Sequence, residues 1–138
     1  KFQLNSQLHP ADVIVAKKRS GLGRILNHYI VYVGKETFIG NLQDGVKILS
    51  EPELMDLFEE YEPIKINRFN GNRFERNQAI KRAHSRLGKK YSFLGYNCEH
   101  FANWVQKGKE SSSQVTIGLF VFVLLIGSLY KMNTNGKR

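Results

Sequence analysis

Cys98 lies in the segment Asn97-Cys98-Glu99-His100-Phe101 and is the only cysteine in the chain. A thiol becomes a nucleophile when its pKa is lowered and a nearby base accepts its proton. Asn97 is a favourable N-cap, which places Cys98 in the first turn of a helix, where free amide hydrogens and the positive end of the helix dipole favour a thiolate. The polar neighbours Asn97, Glu99 and His100 suggest a partly exposed helix end, whereas a lone cysteine is more often a small buried hydrophobe. Four histidines could supply the base. His28 is the best placed, because it opens a strand after a Gly-rich loop and can project into a cleft, although a histidine there is more often an ordinary strand residue. His9, before Pro10, reads as structural, and His84 as exposed on a basic helix. His100 shares a helical turn with Cys98 and cannot reach the sulfur in a good line. The chemistry these residues could support is nucleophilic catalysis by Cys98 with His28 as general base. One cysteine and scattered histidines have no paired metal-ligand spacing, and no Gly-rich phosphate loop follows a strand, so no metal and no cofactor is expected.

The elements that must position these residues follow from periodicity. Asp12–Ala16 is a short β-branched run and reads as a strand; residues 17–24 are basic and Gly-containing and read as a loop. His28–Gly34, Thr37–Leu42 and Val46–Leu49 are separated by two- to three-residue turns, which describes an antiparallel meander. Ser50 with Glu53 three residues on is a capping box, with Pro52 tolerated in the first turn; Leu54, Leu57 and Phe58 give that helix its apolar face. Ile64–Phe69 alternates as a strand. Asn72 with Glu75 caps a second helix running to about Leu87, with Ala79, Ile80, Ala83 and Leu87 inward and Arg76, Lys81, Arg82 and Arg86 outward, and Gly88 where a helix C-terminus favours glycine. A third helix over about 98–106 turns Phe101, Ala102 and Val105 inward.

Residues 107–113 form a polar, Ser-rich linker, and 115–130 carry no charge. That run spans about 24 Å as a helix, slightly short of a roughly 30 Å hydrocarbon core, and Gln114 and Lys131 can snorkel at its ends. Its apolar side chains occupy every face, which favours a membrane helix over a buried segment. Lysines on both sides leave its orientation open. The expected organisation is a folded domain over 8–114, a transmembrane or membrane-anchoring helix over 115–131 and a polar tail over 132–138.

The net charge is +9. Residues 51–62 hold six acidic and no basic side chains, and residues 65–90 hold nine Lys or Arg against Glu75 alone. The basic block is either a solvated helix face or a surface for anionic lipid or RNA; with an apolar run on the same chain, lipid is favoured. A lone thiol rules out an intrachain disulfide and suits a reducing compartment, with the domain on the cytosolic side of a membrane.

Asn97-Cys98-Glu99-His100-Phe101, preceded by Tyr91-Ser92, resembles the catalytic segment of the lecithin retinol acyltransferase-like family, which includes the HRAS-like suppressor phospholipid acyltransferases and the H-box/NC proteins of picornaviruses. His28-Tyr29-Ile30-Val31-Tyr32-Val33-Gly34 is similar to the family's histidine motif, and Pro10-Ala11-Asp12-Val13-Ile14 to its opening Pro-Gly-Asp strand. The resemblance covers about residues 8–115. It implies an α+β, circularly permuted papain-like (NlpC-type) fold, attack of Cys98 on an ester carbonyl with His28 as base, and a thioester intermediate. Cys98, His28 and the apolar run together lead to the expectation of an acyltransferase or phospholipase A-type hydrolase acting on glycerophospholipid at a membrane surface. The family commonly has a second histidine on the next strand; that place falls at Gly40. The adjacent Asn41 is the candidate orienting residue, although strand alternation turns it to the other face unless a bulge re-aims it. Two alternatives remain: an NlpC-type amidase or peptidase, and a weakly active or inactive membrane- or RNA-interacting protein.

Overall fold

The computed structural model describes residues 7–135. The β-branched run after Pro10 forms β1 (Val13–Lys18), and a 3-10 turn over Leu22–Ile25 leads into β2 (Asn27–Gly34). The expected meander continues with β3 (Thr37–Leu42) and β4 (Gly45–Ile48). Lys35 and Glu36 both have positive φ, 49° and 57°, the backbone that matches strand twist in a tight hairpin. Gly45 has φ 109°, and a Cβ there would lie 2.7 Å from the Lys89 carbonyl oxygen, so this turn requires glycine.

Helix α1 (Glu51–Glu60) begins at the expected Ser50/Glu53 capping box. β5 (Tyr61–Asn67) follows it without a loop, three residues earlier than the alternation of 64–69 implies. Pro63 cannot donate a ladder hydrogen bond, which argues against a strand there, but β5 is the edge strand next to β1, and a register shift between Val15 and Ala16 passes over Ile64, the setting in which proline is tolerated. The five strands lie in the order β4-β3-β2-β1-β5, all antiparallel. The result is an α+β domain with one antiparallel sheet.

Helices cover both faces of this sheet. On one, Val13, Val31, Ile39 and Val46 pack against Ala79 and Ala83 of α2 (Arg73–Ser85) and Phe101, Ala102 and Val105 of α3 (Cys98–Lys107). On the other, Ile14, Ile30 and Leu49 pack against Leu57 of α1. α2 ends at Ser85 rather than near Leu87, and Leu87 is exposed.

The basic face of α2 is largely engaged in the fold. Arg82 donates to the Trp104 and Val105 carbonyls at 2.7–3.0 Å, countering the negative end of α3. Arg86 pairs with Glu110 and lies over the Trp104 ring at 4.1 Å. Arg76 bonds the Pro10 carbonyl and sits over Phe69.

The last element, α4 (Ser113–Asn135), has 23 residues, or about 35 Å. It is longer than the uncharged run and includes residues 132–135, so most of the expected polar tail is helical; 136–138 lie outside the described residues. Its most apolar window has mean hydropathy 2.0 and is 6% buried, making the helix long and apolar enough to cross a membrane.

Candidate active site

Asn97 caps α3 as its residue type suggests. Its Oδ1 accepts from the Glu99 and His100 amides at 3.0 and 3.1 Å, and its own N–H donates to His100 Nδ1 at 3.1 Å. His100 is therefore the reciprocal half of the cap, and its ring is committed there. The preceding loop is closed by paired Ser92–Tyr96 backbone bonds of 2.9 and 2.8 Å, which fixes where α3 begins and where Cys98 sits.

Cys98, Glu99 and His100 are all buried, in contrast to the partly exposed helix end their polarity suggests. The Glu99 carboxylate accounts for its own share of the difference. It accepts the Ser112 and Ser113 hydroxyls at 2.6 Å each and the Gln114 amide at 3.1 Å, so the first turn of α4 folds back over the first turn of α3. Burial pushes the Glu99 carboxyl up, and these donors outweigh it to leave the pKa below its ordinary value. The end of the expected polar, Ser-rich linker is thus a docked segment, with Ser112 buried.

The structure brings Cys98 and His28 to one cleft of about 720 Å³, also lined by Lys18, Asn41, Tyr61 and Tyr91. A smaller recess of about 140 Å³ connects the pair with Asn27, Phe93 and Gln114. The two side chains are not hydrogen-bonded to each other: Cys98 Sγ lies 3.8 Å from the Asn27 carbonyl oxygen, and His28 Nε2 is shut off from solvent without a partner. Burial pushes the Cys98 thiol up to about 11, against the lowering influence of the Tyr29, Glu99 and Cys98 amides. Burial also lowers His28 to about 4, opposed by the Glu60 charge. The helix N-terminus therefore does not produce a thiolate as expected; desolvation exceeds the dipole and amide contribution. The resting pair is a neutral thiol beside a neutral imidazole.

Gly40 lies opposite Ile30, on the face of β2 that carries His28. A Cβ at Gly40 would meet Leu49 Cδ1 at 3.3 Å, so the place of a second polar residue is filled by the apolar core around Leu49. Asn41 pairs with Val46 and shares the face of Ile39, with the β3–β4 register unbroken; no bulge re-aims it. Its amide donates to the Tyr96 carbonyl at 2.9 Å, and its Oδ1 is buried without a partner. What lies against His28 is the Tyr61 ring, with centroids 5.2 Å apart. Sequence reading missed Tyr61 because it was assigned to the gap between α1 and a strand starting at Ile64. It also missed Glu99 and Gln114, whose partners are separated from them by 15 and 87 positions.

An antiparallel sheet carrying a histidine at its second strand, with a cysteine at the start of a capped helix beside it, defines a candidate thiol enzyme. Residues 46–111 match the family model of lecithin retinol acyltransferase, which supports the resemblance of that stretch to the lecithin retinol acyltransferase-like family. The matched stretch runs from β4 through α3 and contains Cys98; the strand of His28 precedes it. No curated protein matches the chain.

Proposed function

We propose that this protein is a membrane-associated cysteine acyltransferase or phospholipase A-type hydrolase acting on glycerophospholipid acyl esters. The observation that carries this reading is the shared cleft of Cys98 and His28 at the point where the apolar α4 docks. His28 accepts the thiol proton as Sγ attacks the ester carbonyl carbon. The tetrahedral intermediate collapses with cleavage of the carbonyl–oxygen bond, and His28 returns the proton to the departing lysophospholipid oxygen. Water, an amine or an alcohol then attacks the thioester, with His28 taking its proton and the Cys98 thiol restored. General-base transfer of this kind suits a neutral pair. In this reading the domain has the permuted papain-like arrangement, α4 anchors it in the membrane with the domain on the cytosolic side, and Asn41 supports the site through Tyr96, the residue before the α3 cap.

A second reading is a weakly active or inactive membrane- or RNA-interacting protein on the same fold. It is supported by the raised Cys98 thiol and by Leu49 filling the space at Gly40. An NlpC-type amidase would share the dyad, and an apolar helix beside the cleft favours lipid esters over it.

Intact-protein mass after incubation with mixed phospholipid vesicles tests these readings. A fatty-acyl increment on the wild type, absent in Cys98→Ala and slowed by about 10²–10⁴ in His28→Ala, is the expected result. A folded protein giving neither adduct nor free fatty acid would leave the non-enzymatic reading.

A further inference from the structure

Two loop tips beside the cleft carry large apolar side chains in solvent: Leu22 (97% exposed) and Ile25 (86%) before β2, and Phe93 (52%) and Leu94 (60%) before α3. Soluble domains seldom gather such groups at the mouth of a cleft unless something covers them. Both loops are tied to the start of α4. The Asn27 amide donates to Gln114 Oε1 at 2.7 Å, and Gln114 Nε2 donates back to the Asn27 carbonyl at 3.4 Å. Asn97 Nδ2 donates to the Phe93 carbonyl at 3.0 Å and to Ser112 Oγ at 3.4 Å, while Glu99 holds Ser112, Ser113 and Gln114.

These bonds make the first turn of α4 part of the cleft's frame. The uncharged run begins one residue after Gln114, so a bilayer that receives α4 lies directly against the two tips. Lys17 and Arg24, on the same strand-and-turn segment, are exposed and make no ion pair among the described residues, which suits anionic headgroups.

We propose that Leu22, Ile25, Phe93 and Leu94 form a second membrane contact, and that the Glu99–Gln114–Asn27 clamp holds the domain so that the Cys98–His28 cleft opens onto a phospholipid bilayer. The proposal deepens the lipid-ester reading and rests on its membrane anchor. Acyl chains would enter between the two tips without leaving the bilayer, and the occupant of the apolar rim is lipid rather than a second protein.

Because Cys98 is the only cysteine in the chain, its Cys98→Ser variant accepts single labels cleanly. Leu22→Cys, Ile25→Cys and Leu94→Cys carry an environment-sensitive fluorophore, with Phe74→Cys as the comparison. Phe74 is also exposed, but its helix packs at the opposite end of β1, where Arg76 bonds Pro10. The proteins are reconstituted in phosphatidylcholine vesicles containing phosphatidylserine and spin-labelled lipid. Rim labels quenched severalfold more than the Phe74 label are the expected result. Rim labels quenched no more than the Phe74 label would overturn the proposal, since the domain would then be swinging free on its tether.

Adding Gln114→Ala should cut rim quenching while a label at Leu125→Cys stays quenched; unchanged rim quenching would overturn the role of the clamp. Quenching needs no turnover. A quenched rim on a protein that transfers no acyl group would keep the docking and remove the enzyme, and an active protein with an unquenched rim would do the reverse.

Discussion

The Glu99 carboxylate accepts the Ser112 hydroxyl at 2.6 Å, so the residue after Cys98 also caps the helix that follows the domain. Glu99→Ala leaves the buried Ser112 hydroxyl, the Ser113 hydroxyl and the Gln114 amide without their acceptor and should cost about 2–3 kcal/mol, read as a lower denaturant midpoint. Glu99→Asp should fall between the two. The carboxyl pKa is depressed in the folded protein, so its stabilisation is fully present above the ordinary carboxylate range and is lost as pH falls through the depressed value. Hydrogen exchange at the Gln114 amide should accelerate over that acid range in the wild type and be fast at every pH in Glu99→Ala.

The neutral resting pair sets a distinct pH signature. With the Cys98 thiol near 11 and His28 near 4, alkylation of Cys98 by iodoacetamide should climb with pH throughout the neutral and alkaline range. A thiolate–imidazolium pair would instead give a plateau at neutral pH. His28 serves as base only when unprotonated, so kcat/KM should fall away as pH drops through about 4 rather than 6.5. A neutral-pH alkylation plateau together with an acid limb at 6.5 would mean that the pair is activated and that the helix N-terminus outweighs burial.

Period-two alternation and turn chemistry made β1 to β4 legible in the sequence, and the Ser50, Asn72 and Asn97 caps made the three domain helices legible, because all of these are local signals. β5 was misplaced by three residues because tolerance of Pro63 depends on its being an edge strand, a property of the whole sheet. Cys98 and His28 could be named from their segments, but their protonation could not, since the burial of both side chains is a tertiary effect. The basic face of α2 misled for the same reason: its arginines find carbonyls in α3 and at Pro10, and nothing in the local pattern announces those partners.

Gly40 offers a test of whether this site can take a second imidazole. A histidine placed there should not act as an orienting residue, because Leu49 Cδ1 already lies 3.3 Å from the required Cβ. Gly40→His alone should destabilise the domain by about 1–3 kcal/mol through overpacking, seen as a lower Tm without a rise in turnover. Pairing it with Leu49→Ala opens the space, and the double variant should recover part of the lost stability. Recovery of turnover as well would show that a second imidazole can still serve His28.

Arg82 separates a structural basic face from a ligand-binding one. Its guanidinium makes three hydrogen bonds to the Trp104 and Val105 carbonyls at the end of α3, so its charge is already directed at the helix dipole. Arg82→Ala should lose about 2–3 kcal/mol, and Arg82→Lys should rescue only part of it because lysine lacks the planar fork. Exposed Lys81 on the same helix makes no such bonds, so Lys81→Ala should leave stability within about 0.5 kcal/mol of the wild type. If the face binds RNA or anionic lipid electrostatically, Lys81→Ala should still weaken that binding and flatten its dependence on salt. A large stability loss at Arg82 with no change in binding or salt slope at Lys81 would assign this charge to the fold and leave the rim of the cleft as the surface that meets lipid.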